Sequence, residues 1–151
     1  MDGCNHILTA AASSSKLSSS DGTLFHDETL YSSTVGALQY LTFTPFAVNK
    51  VSQLMHSPRE FHWAAVKRIL RYIQSISSHG LFFARQNTKL LHSYSDVNWG
   101  GSLDYRKSTT DFAIFLGSHL ISSASKKQRA VARSSTEAEY RALANTASEL
   151  T

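Results

Sequence analysis

Two stretches decide the reading of this 151-residue chain: SYSDVNWGG, Ser93 to Gly101, and ARSSTEAEYRAL, Ala132 to Leu143. In the first, Asp96 closes the run Leu90-Leu91-His92-Ser93-Tyr94-Ser95, whose apolar and aromatic content predicts a short strand. In the second, Ser134 with Glu137 makes a capping box and predicts a helix from about Ser135. At helical spacing Glu139 shares a face with Ala142, Leu143, Thr146 and Leu150, while Glu137 begins the polar row Tyr140, Arg141, Ala144 and Ser148. Glu139 is therefore expected on the core-facing stripe. A carboxylate there must be paired or bound to a cation, because burying a bare one is costly. Two such acids on neighbouring elements suggest a metal site. The alternative is that each is a half-exposed carboxylate at the end of its element.

Working outward, Phe112–Leu116 and His119–Ser123 are further candidate strands, and Gly117-Ser118 between them has the length and chemistry of a tight hairpin turn. A longer connection carrying Gly100, Gly101 and Asp104 joins Leu90–Val97 to the second strand. The expected fold class is α+β: a helical segment, then three antiparallel strands and one helix. A meander of about 60 residues buries little area and leaves a sheet edge open.

Upstream, Val35, Leu38, Leu41, Val48, Val51 and Leu54 keep helical spacing, and Pro45 should split the pattern into helices over about 31–43 and 46–55. Ser57-Pro58-Arg59-Glu60 predicts the next helix, with Ser57 as its cap and Pro58 at its first position. Its stripe is Trp63, Val66, Ile69, Leu70 and Ile73, read as core, with Gly80 as a stop. The domain organisation expected is a polar, disordered tail over 1–29, a helical segment over 30–83, and a sheet-bearing unit over 90–151.

Composition narrows the partners. Apolar residues make up 42% and charged residues 17%, enough for a core, but Met1 to Ser20 are mostly small and polar. No run approaches the length of a membrane span, and no hydrophobic signal core opens the chain, so an intracellular location is expected. The single cysteine, Cys4, forbids an internal disulfide. His56 and His62 stand six apart, off the spacing that shares a helical face, and all seven histidines are read as non-ligands. Net charge is +4 with pI near 9.3. The basic residues cluster as Lys67, Arg68 and Arg71, as Arg106 and Lys107, and as Lys126, Lys127, Arg129 and Arg133. The last group is the candidate phosphate-gripping row, solvated surface being the alternative.

From about Asp21 onward the chain resembles the C-terminal part of a copia-type (plant) retrotransposon Pol polyprotein. The resemblance rests on the runs LYSSTVGALQYLTFT, AVNKVSQLMHSPREFHWAAVKRILRYI, HGLFF, SDVNWGG, YRKSTT, FLGSHLIS and SKKQRAVARSSTEAEYRALANTASEL, in the family's order. It implies the thumb and connection of a reverse transcriptase followed by the start of an RNase H domain. It further implies hydrolysis of the RNA strand of RNA–DNA hybrids, with magnesium ions (Mg2+) held by acids that include Asp96 and Glu139.

Departures accompany the match. Asn98 stands where the first motif has a second aspartate, Asp111 where a glycine follows the two threonines, and Ser123 where a tryptophan follows Ile-Ser. Around Pro45 the family's R-P-D-I-A run is shortened. The polymerase's paired aspartates are not in this sequence, and the family's third RNase H acid lies in a segment beyond Thr151. The expectation is a cut-down, catalytically incomplete copy. Its readings are an RNase H enzyme, a non-catalytic nucleic-acid-binding remnant that engages hybrid weakly, or a decayed fragment without selected function.

Overall fold

The chain, seen in a computed structural model, is described over residues 7–11, 17–18, 22–41, 44–85, 88–102 and 104–151. It divides into two compact units, Met1–Gly80 and Leu81–Thr151. The architecture is α+β, as expected, with helices α1 (Glu28–Leu38), α2 (Pro45–Ser52), α3 (Glu60–Ser75) and α4 (Ser135–Ser148) and strands β1 (Leu91–Asn98), β2 (Thr109–Leu116) and β3 (His119–Lys127).

The first unit is built around α1, α2 and α3. Asp27 caps α1 by accepting the Leu30 amide at 2.8 Å, and Tyr31, Val35 and Leu38 bury one face of it. Pro45 opens α2, a position where the missing amide costs nothing. Tyr31, fully buried, donates its hydroxyl to the Val51 carbonyl at 2.9 Å and so ties α1 to the end of α2. Val66 and Ile69 of α3 complete the core, and Trp63 stacks on Phe25 with ring centroids 4.9 Å apart.

Two expectations fail in this unit. Ser57 does not cap α3. Residues 57–59 are instead drawn into an extended pairing, with Leu24 bridged to Arg59 and the Phe25 amide donating to the Pro58 carbonyl at 2.9 Å. The helix therefore starts later, at Glu60, and His62 Nδ1 accepts the Arg59 amide at 3.0 Å, the part that a glutamate plays at the third position of a capping box. The tail over 1–29 is also not wholly disordered. Phe25 is in the core, and Ala10, Ala11 and Leu17 pack against it. The Ile7 carbonyl accepts from Ser75, the Thr9 hydroxyl and carbonyl accept from Arg68, and the Ser18 carbonyl meets His62 Nε2 at 3.0 Å. Small polar side chains did not signal this, because all but the Thr9 hydroxyl bond use the tail's backbone. The remainder of the tail, with Cys4, lies outside the described residues.

In the second unit β1, β2 and β3 form one antiparallel sheet in that order. The Gly117-Ser118 turn joins β2 to β3, with Gly117 at φ 60°. That left-handed conformation favours glycine. The register aligns Asp96 with Asp111 and Val97 with Thr110 across β1 and β2, and Thr109 with Lys127 and Asp111 with Ser125 across β2 and β3. Thr110, Phe112 and Ile114 form the buried side of β2, and α4 packs there, mainly over β1. Among the described residues no helix is long and apolar enough to cross a membrane.

Candidate metal and nucleic-acid site

The segment between β3 and α4 sets the helix position. Gln128 is buried, and its amide donates to Thr110 Oγ1 and to the Ala138 carbonyl, each at 3.0 Å. Its backbone amide donates to the Ser108 carbonyl at 2.8 Å, and Trp99 Nε1 donates to the Ala132 carbonyl at 3.3 Å. Ser134 Oγ accepts the Glu137 amide at 3.1 Å, the cap expected from the sequence, while Glu137 reaches back to the Arg133 amide at 2.8 Å. At the far end of α4, Glu149 is ion-paired with Lys126.

These attachments fix the rotation of α4. Its buried line is Ala138, Ala142 and Thr146, and Glu139, about 60° round the axis from Ala142, is exposed. The expectation that Glu139 faces the core is therefore corrected. The stripe read from spacing alone mixed the buried Ala142 and Thr146 with Leu143 and Leu150, which lie on the surface.

Asp96 is likewise exposed. Successive side chains of a strand point to opposite faces, and the register puts Asp96 in the same row as Asp111 and Ser125. The α4-bearing face is that of Val97, Thr110 and Phe112, so Asp96 lies on the other, open face of the sheet. Asn98 shares the open face, but its amide is packed against Gly101, where an added Cβ would come within 2.5 Å of it. A side chain at 101 would require the Asn98 amide to move aside.

The sheet–helix packing thus does not bring Asp96 and Glu139 onto one face. Two-metal phosphodiester hydrolysis needs carboxylates converging on ions roughly 3.5–4 Å apart. Among the described residues no three His, Cys, Asp or Glu side chains are grouped to hold a metal ion. The carboxylate nearest to Asp96 in register is one the sequence reading had noted only as a departure, Asp111, directly across the β1–β2 ladder. Register becomes legible once the Gly117 turn and the Gly100-Gly101 connection are placed, and alternation then aligns the two acids. Like charges directly opposite in a sheet are mutually destabilising.

The basic row is also divided. Lys126 falls on the α4 face, where it pairs with Glu149 and lies 5.6 Å from the Phe112 ring centroid. Lys127 falls on the open face with its amine 4.5 Å from the Tyr105 ring centroid and 3.3 Å from Ser102 Oγ. Partial burial, and then the charge of Lys107, lower its pKa, while Asp104 acts in the opposite sense. Arg129 and Arg133 are exposed, and no ion pair is formed by either among the described residues.

No family model matches the chain, and no solved structure matches it. Similarity to known proteins is nonetheless extensive. The chain is 50% identical over 148 residues to the retrovirus-related Pol polyprotein from transposon RE2 of Arabidopsis thaliana, covering 95% of this chain and 10% of that protein. It is 38% identical over 125 residues to the retrovirus-related Pol polyprotein from transposon TNT 1-94 of Nicotiana tabacum, covering 80% of this chain and 9% of that protein. It is 44% identical over 124 residues to the secreted RxLR effector protein 161 of Plasmopara viticola, covering 79% of this chain and 87% of that protein. The chain spans about a tenth of the length of the two polyproteins. With 95% of its residues aligned to a transposon polyprotein at 50% identity, the chain belongs to the copia-type retrotransposon Pol polyprotein family.

Proposed function

We propose that this stretch belongs to the reverse transcriptase and RNase H region of the polyprotein, with the second unit an RNase H-like sheet and helix. On this reading the 151-residue chain binds RNA–DNA hybrid weakly and does not cleave it. Asp96 and Glu139 stand at the positions of the family's metal-binding acids, and any Mg2+ they engage is held weakly. The observation that carries the reading is their placement: one on the open sheet face, the other exposed on the flank of α4. Magnesium keeps most of its waters and accepts only a few carboxylates, so two exposed acids with no third ligand grouped beside them among the described residues give a poor site. The exposed guanidinium groups of Arg129 and Arg133 supply binding that needs no metal.

The test is incubation of the purified chain with labelled RNA–DNA hybrid and magnesium or manganese, beside an Asp96→Asn variant at equal concentration. The expected result is no hybrid-specific product from either protein, together with binding that weakens as salt rises. Metal-dependent cleavage abolished by Asp96→Asn would overturn the inactive reading and restore an enzyme.

A further inference from the structure

The connection between β1 and β2 closes on itself around a lysine from β3. The Ser102 amide donates to the Lys107 carbonyl at 3.2 Å, and the Arg106 amide donates to the Ser102 carbonyl at 2.8 Å. Lys127 enters this loop from the sheet, 3.3 Å from Ser102 Oγ and 4.5 Å from the Tyr105 ring centroid. Lys107 and Lys127 are both half-buried. Partial burial, and then the charge of Lys107, lower the pKa of Lys127.

Arg106, beside them, adopts φ 53°, the only positive φ outside glycine among the described residues. Backbone strain of this kind persists where the surroundings hold it, and it clusters at ligand-binding positions. Asp104 acts at Lys127 in the opposite sense to Lys107, and the acids Asp96 and Asp111 occupy the next row of the open face. The Ser102 hydroxyl in contact with the Lys127 ammonium, with the Lys107 charge near enough to act on it and Arg106 exposed on the same connection, matches the several acceptor oxygens and the charge of a phosphate.

We propose that Ser102, Lys107 and Lys127, with Arg106 at the rim, bind a phosphate group of a nucleic-acid backbone. The inference rests on the nucleic-acid reading above and deepens it, adding a phosphate contact at the β1–β2 connection to those of Arg129 and Arg133. A bound phosphate would relieve the repulsion between Lys107 and Lys127 and raise the pKa of Lys127.

Two measurements separate this site from the broader reading. The first is fluorescence anisotropy of a labelled RNA–DNA hybrid across a salt series with the wild-type chain, a Lys107→Gln/Lys127→Gln variant and an Arg129→Gln/Arg133→Gln variant. Lys107→Arg/Lys127→Arg serves as the charge-preserving control for folding. The second follows the Lys127 ε-methylene NMR signal through a pH titration in inorganic phosphate and in chloride at equal ionic strength. The expected result is about tenfold weaker hybrid binding for the lysine-to-glutamine variant, with the log–log salt slope reduced by about 0.9, the loss of one phosphate contact. The arginine-for-lysine control should bind as wild type, and phosphate should move the Lys127 titration to higher pH. Wild-type affinity in the lysine-to-glutamine variant, with loss in the Arg129/Arg133 variant, would overturn the site while leaving hybrid binding intact. Failure of the wild-type chain to bind hybrid, with the phosphate effect on Lys127 retained, would overturn the nucleic-acid reading and leave a site for free phosphate. Neither binding nor a phosphate effect would remove both.

Discussion

The unit spanning residues 1–80 encloses Tyr31, Val35, Val51, Val66 and Ile69 almost completely, and the ring of Phe25 stacks over Trp63 beside them. The unit spanning 81–151 buries Phe112 and Ile114, but otherwise small or polar residues: Ala132, Ala138, Ala142, Ser108, Thr110, Gln128 and Thr146. Its larger apolar side chains, among them Phe82, Tyr94, Trp99, Ile121, Tyr140 and Leu143, are exposed. Each fully buried Val, Leu, Ile or Phe contributes about 1.5–3 kcal/mol. The first unit therefore draws its stability from side-chain burial, and the second leans on its ladder and on specific hydrogen bonds such as those of Gln128. The difference teaches that identical family membership along a chain does not imply equal self-sufficiency of its parts.

Truncating the two cores separates them most clearly. Ile69→Ala should cost roughly 2–5 kcal/mol, whereas Ile114→Ala should fall at or below the lower end of that range, because its neighbours are small and close to solvent. Native-state hydrogen exchange of the α3 and β2 amides measures both, and equal costs would erase the contrast. Next in size is Gln128→Ala, which leaves the Ala138 carbonyl and Thr110 hydroxyl without their partner and should lower stability of the second unit by about 1–3 kcal/mol. A negligible effect would show that burial, not this hydrogen bonding, holds α4 down.

Tyr31 gives a pH-dependent version of the test. Burial raises the pKa of its hydroxyl well above the ordinary tyrosine value. The folded form thus holds its proton more tightly than the unfolded chain, so this stabilisation is complete below pH about 10 and is lost as pH rises beyond it. Tyr31→Phe should flatten that alkaline decline in denaturation midpoints of the first unit, at a cost near neutrality of about 1 kcal/mol from the hydrogen bond to Val51. A decline of unchanged slope in the variant would assign it to other groups. Ser134→Ala should remove about 1 kcal/mol from α4 by loss of its cap, read from exchange of the Glu137 amide. Smallest is Asp96→Asn, which removes a like charge opposite Asp111 and should stabilise the sheet by a few tenths of a kcal/mol, more at low salt. Destabilisation instead would mean that Asp96 has a favourable partner.

Much of the fold was written locally. Gly117-Ser118 announced its hairpin, Ser134 its cap and Pro45 its helix break, because each acts through backbone conformation within a few residues. The failures came where a distant segment competes. Ser57 lost its role because Leu24 and Phe25 pair with Pro58 and Arg59, and no periodicity in 57–75 encodes that partner. Glu139 was misplaced because an alanine-rich helix with Leu143 on its flank reads plausibly on either side, and Gln128 decides the rotation from outside it. The candidate acids could be picked by residue type and likeness. Their faces depend on register, which only the assembled sheet defines.

The backbone bonds between the N-terminal segment and α3 span long stretches of chain, with 68 residues separating Ile7 from Ser75 and 59 separating Thr9 from Arg68. During synthesis these contacts cannot form until the end of α3 has left the ribosome, so the segment must remain unattached while α1 and α2 emerge. Closing a loop of that length carries an entropic cost that grows only logarithmically, but it must be met before the two contacts return anything. The order of events in the first unit is then set: helices and their core gather first, and the earliest residues made are among the last to settle.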